Sequence, residues 1–362
     1  NQTSEVGEIP FYKIGTFGKA ADAFISRQLY EDYRRKYSYP QKGDILISAA
    51  GTLGKTVVYD GQEAYFQDSN IVWLKTDDRK LSNKYLIHYY QIINWPTPEG
   101  ATIQRLYNGI IREAHIVAPA VSEQQKIAAI LTTQDKVIEL KEKRLAEKLR
   151  QKKYLMQQLL TGRKRLTGFN LAWKKAELKN ILHERKTYSP KGLEYPHVTL
   201  STEGIFPKSN RYDRDHLVRN EYKEYKITHK GDICYNPANL KFGVICENTF
   251  GDAIFSPIYV TFEVNQNVCK EYLANYLMRW DFINAVRKYE EGTVYERMAV
   301  KPEDFLKFEI LLPQIDEQYA IAQVLSTADR EISLLRQDIE QEKQKKKALM
   351  QLLLTGIVRT TV

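Results

Sequence analysis

Apolar positions over residues 122–162, and again over 316–356, recur at helical spacing with no proline or glycine in the interior. That pattern predicts two unusually long helices. The two 41-residue segments align without a gap at an offset of 194 and share 18 identical positions. Among them are Glu123/Glu317, Gln124/Gln318, Ile127/Ile321, Asp135/Asp329 and a closing Leu-Met-Gln-x-Leu-Leu-Thr-Gly. Identity on this scale marks a duplicated unit. Each copy follows a proline (Pro119, Pro313) and opens on Ser122 or Asp316, whose side chains can accept from the free N–H groups of a first turn. Each closes on Gly162 or Gly356, suited to a helix C-cap. A helix of about 40 residues at about 1.5 Å per residue is roughly 60 Å long.

Within the helices the apolar stripe is narrow. Leu131, Ile138, Leu145 and Leu159 form a series of sevens broken at Lys152, and Leu325, Ile332, Ile339 and Leu353 form its equivalent, broken at Lys346. Ile321, Ala328, Leu335 and Leu349 add a second seam in the later copy. Such a stripe needs a partner helix, and the duplicate is the simplest one, giving a two-stranded coiled coil.

Ahead of each helix lie short β-type runs, at 44–48, 55–59 and 70–75, then at 232–235, 244–246 and 258–262. One helix is expected near 84–94 and another near 270–286. The duplication extends here: Lys42-Gly-Asp-Ile recurs at Lys230, Tyr85-Leu at Tyr272, and 100–105 at 292–297. The fold class is α+β with a pseudo-twofold repeat: a domain over 1–118, a helix over 119–165, a domain over 166–313 and a helix over 314–358. Trp173, Leu178 and Ile181 look like packing residues with no counterpart before Ile9, so the first domain is expected to be incomplete at its start.

Composition narrows the chemistry. With 43% hydrophobic and 27% charged residues, the 362-residue chain is globular rather than disordered. No apolar run approaches the roughly 18–20 residues of a membrane span, and no signal peptide opens the chain. Three scattered cysteines suit neither a disulfide framework nor zinc and make a reducing compartment the default. Ala49-Ala-Gly-Thr-Leu-Gly-Lys-Thr56 fits a relaxed phosphate-loop pattern, but a strand-like Val57-Val-Tyr follows where a helix must begin. Asn236-Pro-Ala-Asn239 lacks the second proline and aromatic of a methyltransferase tetrapeptide, and the six histidines show no ligand spacing. No catalytic set, metal site or cofactor loop is expected.

A binding pattern remains. The 24 tyrosines are interleaved with Arg, Lys, Asn and Gln at 27–39, 102–108 and 208–214, residue types that read base edges or hold phosphates. The net charge of +9 is concentrated in 122–165, with twelve basic and five acidic residues, while both domains are near neutral. That helix is therefore expected to face DNA or an acidic partner, through Lys148, Lys152 and Lys153.

The two Glu-Gln-x-x-Ile-Ala helices ending in Leu-Met-Gln-x-Leu-Leu-Thr-Gly, each after a Pro-terminated strand, and the Lys-Gly-Asp-Ile strands resemble the specificity subunit of a type I restriction–modification system. The resemblance covers nearly the whole chain. It implies two α/β target recognition domains separated by two long antiparallel helices, each domain reading one half of a split, asymmetric double-stranded DNA target. The helices would set the spacing and carry two methyltransferase subunits, through which restriction–translocase subunits join. Adenosylmethionine would bind those methyltransferases, leaving this chain without cofactor, metal or catalytic residues, in the cytoplasm and away from membranes.

For DNA contact the expected residues are Ser48, Thr52, Lys55, Gln67, Asn70, Gln104, Arg105 and Tyr107 in the first domain. In the second they are Lys208, Arg211, Asn236, Asn239, Lys241, Tyr295 and Arg297. Rival readings are a coiled-coil scaffold that never touches DNA, or a fragment of a fused methyltransferase–specificity enzyme.

Overall fold

A computed structural model of the chain describes residues 2–66, 70–95, 105–190, 194–208, 224–289 and 299–360. In order, the first part holds β1 (Ile9–Tyr12), β2 (Phe24–Ile25), α1 (Arg27–Lys36), β3 (Ile45–Ser48), β4 (Thr56–Val58), β5 (Tyr65–Phe66), β6 (Ile71–Trp73), α2 (Asn83–Tyr89), α3 (Asn108–Glu113) and the long α4 (Val121–Leu159). Then come β7 (Lys174–Glu177), β8 (Leu182–Glu184), β9 (Tyr188–Pro190), β10 (Val198–Ser201), β11 (Gly204–Pro207), β12 (Glu224–Thr228), β13 (Ile233–Tyr235), β14 (Ile245–Glu247), β15 (Ala253–Phe255) and β16 (Val260–Val264). The chain continues through α5 (Lys270–Leu277), α6 (Trp280–Val286), α7 (Pro302–Leu306), β17 (Glu309–Leu312) and the second long helix, α8 (Ile315–Leu354). Two compact units result: Asn1–Lys143 with Arg336–Val362, and Arg144–Leu335. Each therefore contains one globular domain and a stretch of both long helices.

The helix ends show where local chemistry decides. Ser122 and Asp316 are not the caps: α4 and α8 begin earlier, with Gln124 N–H bonded to Ala120 O and Gln318 N–H to Gln314 O. The prolines just upstream hold φ near the helical value, and the first turn forms directly behind them. The expected glycine terminators hold. Gly162 and Gly356 are left-handed at φ 70° and 78°. Lys164 N–H reaches back to Gln158 O and Val358 N–H to Leu352 O, so the chain wraps round each glycine and satisfies a carbonyl of the last turn.

The helices pair antiparallel. In the first unit Leu131, Ile138, Ile339 and Leu353 are buried, Lys346 meets Asp135 at 2.6 Å, and Lys141 sits 2.8 Å from both Asp338 and Glu342. In the second unit Leu159, Leu325 and Ile332 are buried and Leu145 half-buried. There Lys152 meets Asp329 at 2.5 Å and Lys148 meets Glu331 at 2.6 Å. Lys152 and Lys346, which break the series of sevens, thus make the same bond twice with the repeat-equivalent aspartates. Lys148 and Lys152 face α8, contrary to the expectation that they face an external partner. The acidic residues of the second helix absorb much of the first helix's excess charge. Lys153 stays exposed.

Each domain has its own version of one sheet. In the first, β4-β3-β6 pairs Ile45 with Val58 and Leu46 with Trp73. Behind it Ile45, Ile47, Tyr85, Leu86 and Tyr89 form a core with Ile127 and Leu131 of α4 and Leu353 and Leu354 of α8. In the second, β14-β13-β16-β8 has the same central three strands, and Tyr235 stacks on Phe305 at 4.9 Å and on Phe262 at 5.9 Å. The helix expected over 270–286 is broken into α5 and α6 at Arg279, which lies 4.5 Å over the Tyr276 ring and donates to Leu160 O.

One buried glutamine fastens each domain to the start of a long helix. Gln124 Oε1 accepts from Ser82 N–H at 2.9 Å, at the start of α2, while Nε2 donates to Lys80 O and Pro119 O at 2.8 Å each. Its equivalent, Gln318, accepts from Cys269 N–H at 3.0 Å, at the start of α5, and donates to Pro313 O at 2.9 Å. The neighbouring glutamates are also used twice. Glu317 takes a fork of bonds from Arg165 at 2.6 and 2.7 Å and one from Trp173 Nε1 at 3.2 Å. Glu123 takes the same fork from Arg359 at 2.8 and 2.6 Å, with Thr360 N–H at 3.1 Å. Each tail thus closes on the first turn of a long helix.

His88 has no equivalent in the second domain. It is buried on α2, with Nε2 3.3 Å from Thr132 Oγ1 and Nδ1 3.8 Å from Asp135, which also holds Lys346. Burial pushes its pKa below the usual 6.5, opposed by Asp135 and reinforced by Lys346. A lowered histidine favours the neutral form in the fold, so its contribution is whole above pH 6.5 and is lost as pH falls through the folded value. Thermal melts between pH 7 and 5 are expected to show a shallower decline for His88→Asn than for the parent. Equal slopes would dismiss His88 as a source of acid sensitivity.

Candidate nucleic-acid interface

The turn after the central strand is the feature both domains build alike. In the first, Ser48 N–H bonds Lys55 O, Ala49 N–H bonds Asn70 O at 2.7 Å, and Leu106 N–H bonds Ala49 O at 2.8 Å. Ala50 and Arg105 form a β-bridge. The fold therefore brings together Ser48, Thr52, Lys55, Asn70 and Arg105, with the exposed Tyr107 next in line. In the second, Asn236 N–H bonds Val244 O, and Val300 N–H bonds Pro237 O at 3.3 Å, the counterpart of the Leu106–Ala49 bond. Here Asn236, Asn239 and Lys241 share one turn. Lys208 lies apart from it on the β11 side, its N–H bonded to His197 O. Gln67, Gln104, Arg211, Tyr295 and Arg297 lie outside the described residues.

Two of the expected contact residues face inward. Ser48 is 2% exposed; its hydroxyl donates to Thr52 O and accepts Lys55 N–H at 2.9 Å. Asn236 is buried and its Oδ1 accepts Ala238 N–H at 3.1 Å. Both shape the turn rather than its surface. Thr52, Lys55 and Asn239 are exposed, though Lys55 Nζ donates to Phe17 O at 2.6 Å. Phe242 was missed by residue-type reasoning: it is 61% exposed beside Lys241, whose ammonium lies 5.5 Å from its ring centre. An aromatic in a loop between two apolar strands was the available signal.

In the tyrosine-rich stretch 27–39 Tyr30 turns inward, Tyr33 and Tyr39 are half-buried, and Tyr37 and most of the charged residues stay exposed. The stretch forms α1, with Tyr30 buried and the hydroxyls of Tyr30, Tyr39 and Tyr59 in a chain ending on Ala64 O. Burial pushes Tyr30 and Tyr39 up to about 12. At the phosphate-loop-like stretch the chain enters β4 at Thr56, so no helix N-terminus stands behind Gly54-Lys55. Gly54 is left-handed at φ 72°, and a methyl there would overlap the Trp95 indole. Gly54→Ala is expected to cost about 2 kcal/mol or more through strain and displacement of Trp95, read by urea unfolding. An unchanged midpoint would show that the turn can rearrange.

Residues 1–150 match the family model of the type I restriction modification DNA specificity domain. A putative type I restriction enzyme specificity subunit of Haemophilus influenzae is 57% identical over 131 residues, covering 36% of this chain and 34% of that protein. The putative MjaX specificity subunit of Methanocaldococcus jannaschii is 24% identical over 345 residues, covering 88% of this chain and 79% of that one. Among solved structures, a type I restriction–modification S subunit from M. genitalium superposes with TM-score 0.58 at 13% identity, over 98% of this chain and 90% of that one. That likeness speaks for the fold: α+β, with paired long helices and a pseudo-twofold repeat. Residues 1–150 are thus similar to the type I restriction modification DNA specificity domain, and the chain over most of its length is similar to the putative MjaX specificity subunit.

Proposed function

We propose that the chain reads a bipartite, asymmetric DNA target, one half-site per domain, and positions two methyltransferase subunits and, through them, the restriction subunits. It does so without catalysis of its own. Adenosylmethionine belongs to the methyltransferase partners in this reading, and the complex works in the cytoplasm. The observation that carries it is the pair of equivalent turns, held by the same backbone bond but carrying different side chains. Thr52, Lys55, Arg105 and Tyr107 stand on one; Asn239, Lys241 and Phe242 stand on the other. Two readers of one design with unlike chemistry call for two unlike half-sites.

Mapping methylated adenines in cells that express the chain with its methyltransferase tests this. A split, asymmetric motif is expected; a continuous palindrome, or no motif, overturns the reading. The double variant Asn239→Ala, Lys241→Ala should then relax one half of the motif, at about 1–3 kcal/mol per lost base contact. Equal weakening on all sequences would assign those side chains to phosphates instead.

A further inference from the structure

The turn after β13 carries an aromatic ring that the core does not use. Phe242 is 61% exposed, outside the apolar clusters that take Leu240 and Val244 on either side of it. One exposed phenylalanine is ordinary on a protein surface. Its mounting here is not. A single 3-10 turn, Leu240–Phe242, holds the ring out: Phe242 N–H bonds Asn239 O at 3.0 Å and Gly243 N–H bonds Leu240 O at 2.8 Å. Gly243 then turns the chain back at φ 82°, which glycine adopts without strain. Beneath it Leu240 is sunk in the core, and Val300 N–H ties down Pro237 O at 3.3 Å.

A second apolar side chain stands at the same end of the sheet. Tyr235, the last residue of β13, pairs with Ile245, the first of β14, and with Val260, the first of β16. The turns 236–244 and 256–259 therefore leave the sheet together. Ile258, on the second of them, is also 61% exposed, and Tyr259 beside it packs edge-on against Phe255 at 5.2 Å. Neither turn contains an acidic residue, and Lys241 is their one cation, its ammonium 5.5 Å from the Phe242 ring centre.

We propose that Phe242 is an apolar wedge. It enters the base stack at one step of the half-site read by the second domain, with Ile258 against the sugars beside it and Lys241 on the adjoining phosphate. The proposal rests on the DNA-reading function given above and adds how that half-site is read. A phenyl ring has no hydrogen bonds with which to tell one base from another. It selects instead for steps that unstack readily, pyrimidine–purine steps above all, so part of the specificity comes from deformability. The exposed Asn239, on the same turn, keeps an amide for a base edge next to the step. The first-domain turn is built otherwise: Leu53 is half-buried, and the Trp95 indole lies where a side chain on Gly54 would go. The wedge is thus assigned to one half-site, in keeping with an asymmetric target.

The test uses the chain assembled with its methyltransferase subunits, on a duplex bearing the motif found by mapping methylated adenines. Phe242→Ala is expected to weaken binding about tenfold or more, while Phe242→Leu, which keeps an apolar wedge, stays near the parent. A single abasic position moved along that half-site should reveal one step at which the alanine variant regains the parent's affinity, because the unstacking is already done. A ring that only lies against the groove wall gives no such rescue. Equal binding by Phe242→Ala, or a loss that no abasic position rescues, overturns the proposal. So does a loss that lies in assembly with the methyltransferase subunits, seen by gel filtration without DNA, which would make this surface a protein contact. Absence of a split motif for the parent complex would overturn the DNA-reading function itself; a split motif with an unaffected alanine variant removes the wedge alone.

Discussion

Gln318→Leu is expected to destabilise the protein by about 3 kcal/mol or more, a fall in Tm of roughly 6–12 °C for a unit of this size. The side chain is nearly the volume of leucine, so packing changes little. What is lost is polar: Cys269 N–H at the start of α5 and Pro313 O before α8 are both left unpaired in a buried place. Each such orphan costs about 1–3 kcal/mol. Gln124→Leu should act in the same direction, since it strands Ser82 N–H together with Lys80 O and Pro119 O. Differential scanning calorimetry of both variants is the measurement. A Tm within a degree or so of the parent for both would mean that neither glutamine fastens its domain to the helices.

Glu317→Ala is expected to cost about 2–3 kcal/mol, and more than the equivalent Glu123→Ala. The reason is solvent. Arg165 is a quarter exposed where Arg359 is two-thirds exposed, at 27% against 68%, so the first fork works in a less screened setting. Glu317 also holds the Trp173 indole, for which Thr360 N–H is the only counterpart. Arg359 keeps Glu123 below the usual carboxylate range, so that pair lends stability above the ordinary glutamate pKa and loses it as pH falls through the lowered value. Chemical unfolding of the two alanine variants side by side gives the comparison. Equal losses would show that exposure does not grade these forks.

These residues show what can be read from sequence and what cannot. Glu123, Gln124 and Asp135 stood out because they recur 194 positions later, and each proves to make a bond that its duplicate makes again. Repetition exposed them because the same constraint acts twice. The seam of leucines and isoleucines was legible from period alone, since only one helix face can be dry. Ser48 and Asn236 were misjudged because a turn offers a polar side chain two uses, toward a ligand or toward its own backbone, and residue type does not separate them. Alternation gave no help: β3 is buried at all four positions, Ser48 included. Tyr30 and Tyr39 misled for a related reason, as a phenol can bury its ring and still satisfy its hydroxyl on other tyrosines. The break between α5 and α6 depends on Arg279 meeting a carbonyl at the end of α4, a partner 119 residues away.

The cross-helix pairs change how a salt titration must be interpreted. Lys141, Lys148, Lys152 and Lys346 join one long helix to the other through carboxylates at 2.5–2.8 Å. Added electrolyte screens these bonds as it screens contacts to phosphate. A log–log plot of DNA affinity against salt is ordinarily read as a count of phosphates neutralised. If this chain binds DNA as proposed, any part of the helix pairing that changes on binding adds its own salt dependence to that slope. Under that reading, the number of phosphate contacts taken from the slope needs correction by the salt dependence of the unliganded protein's stability.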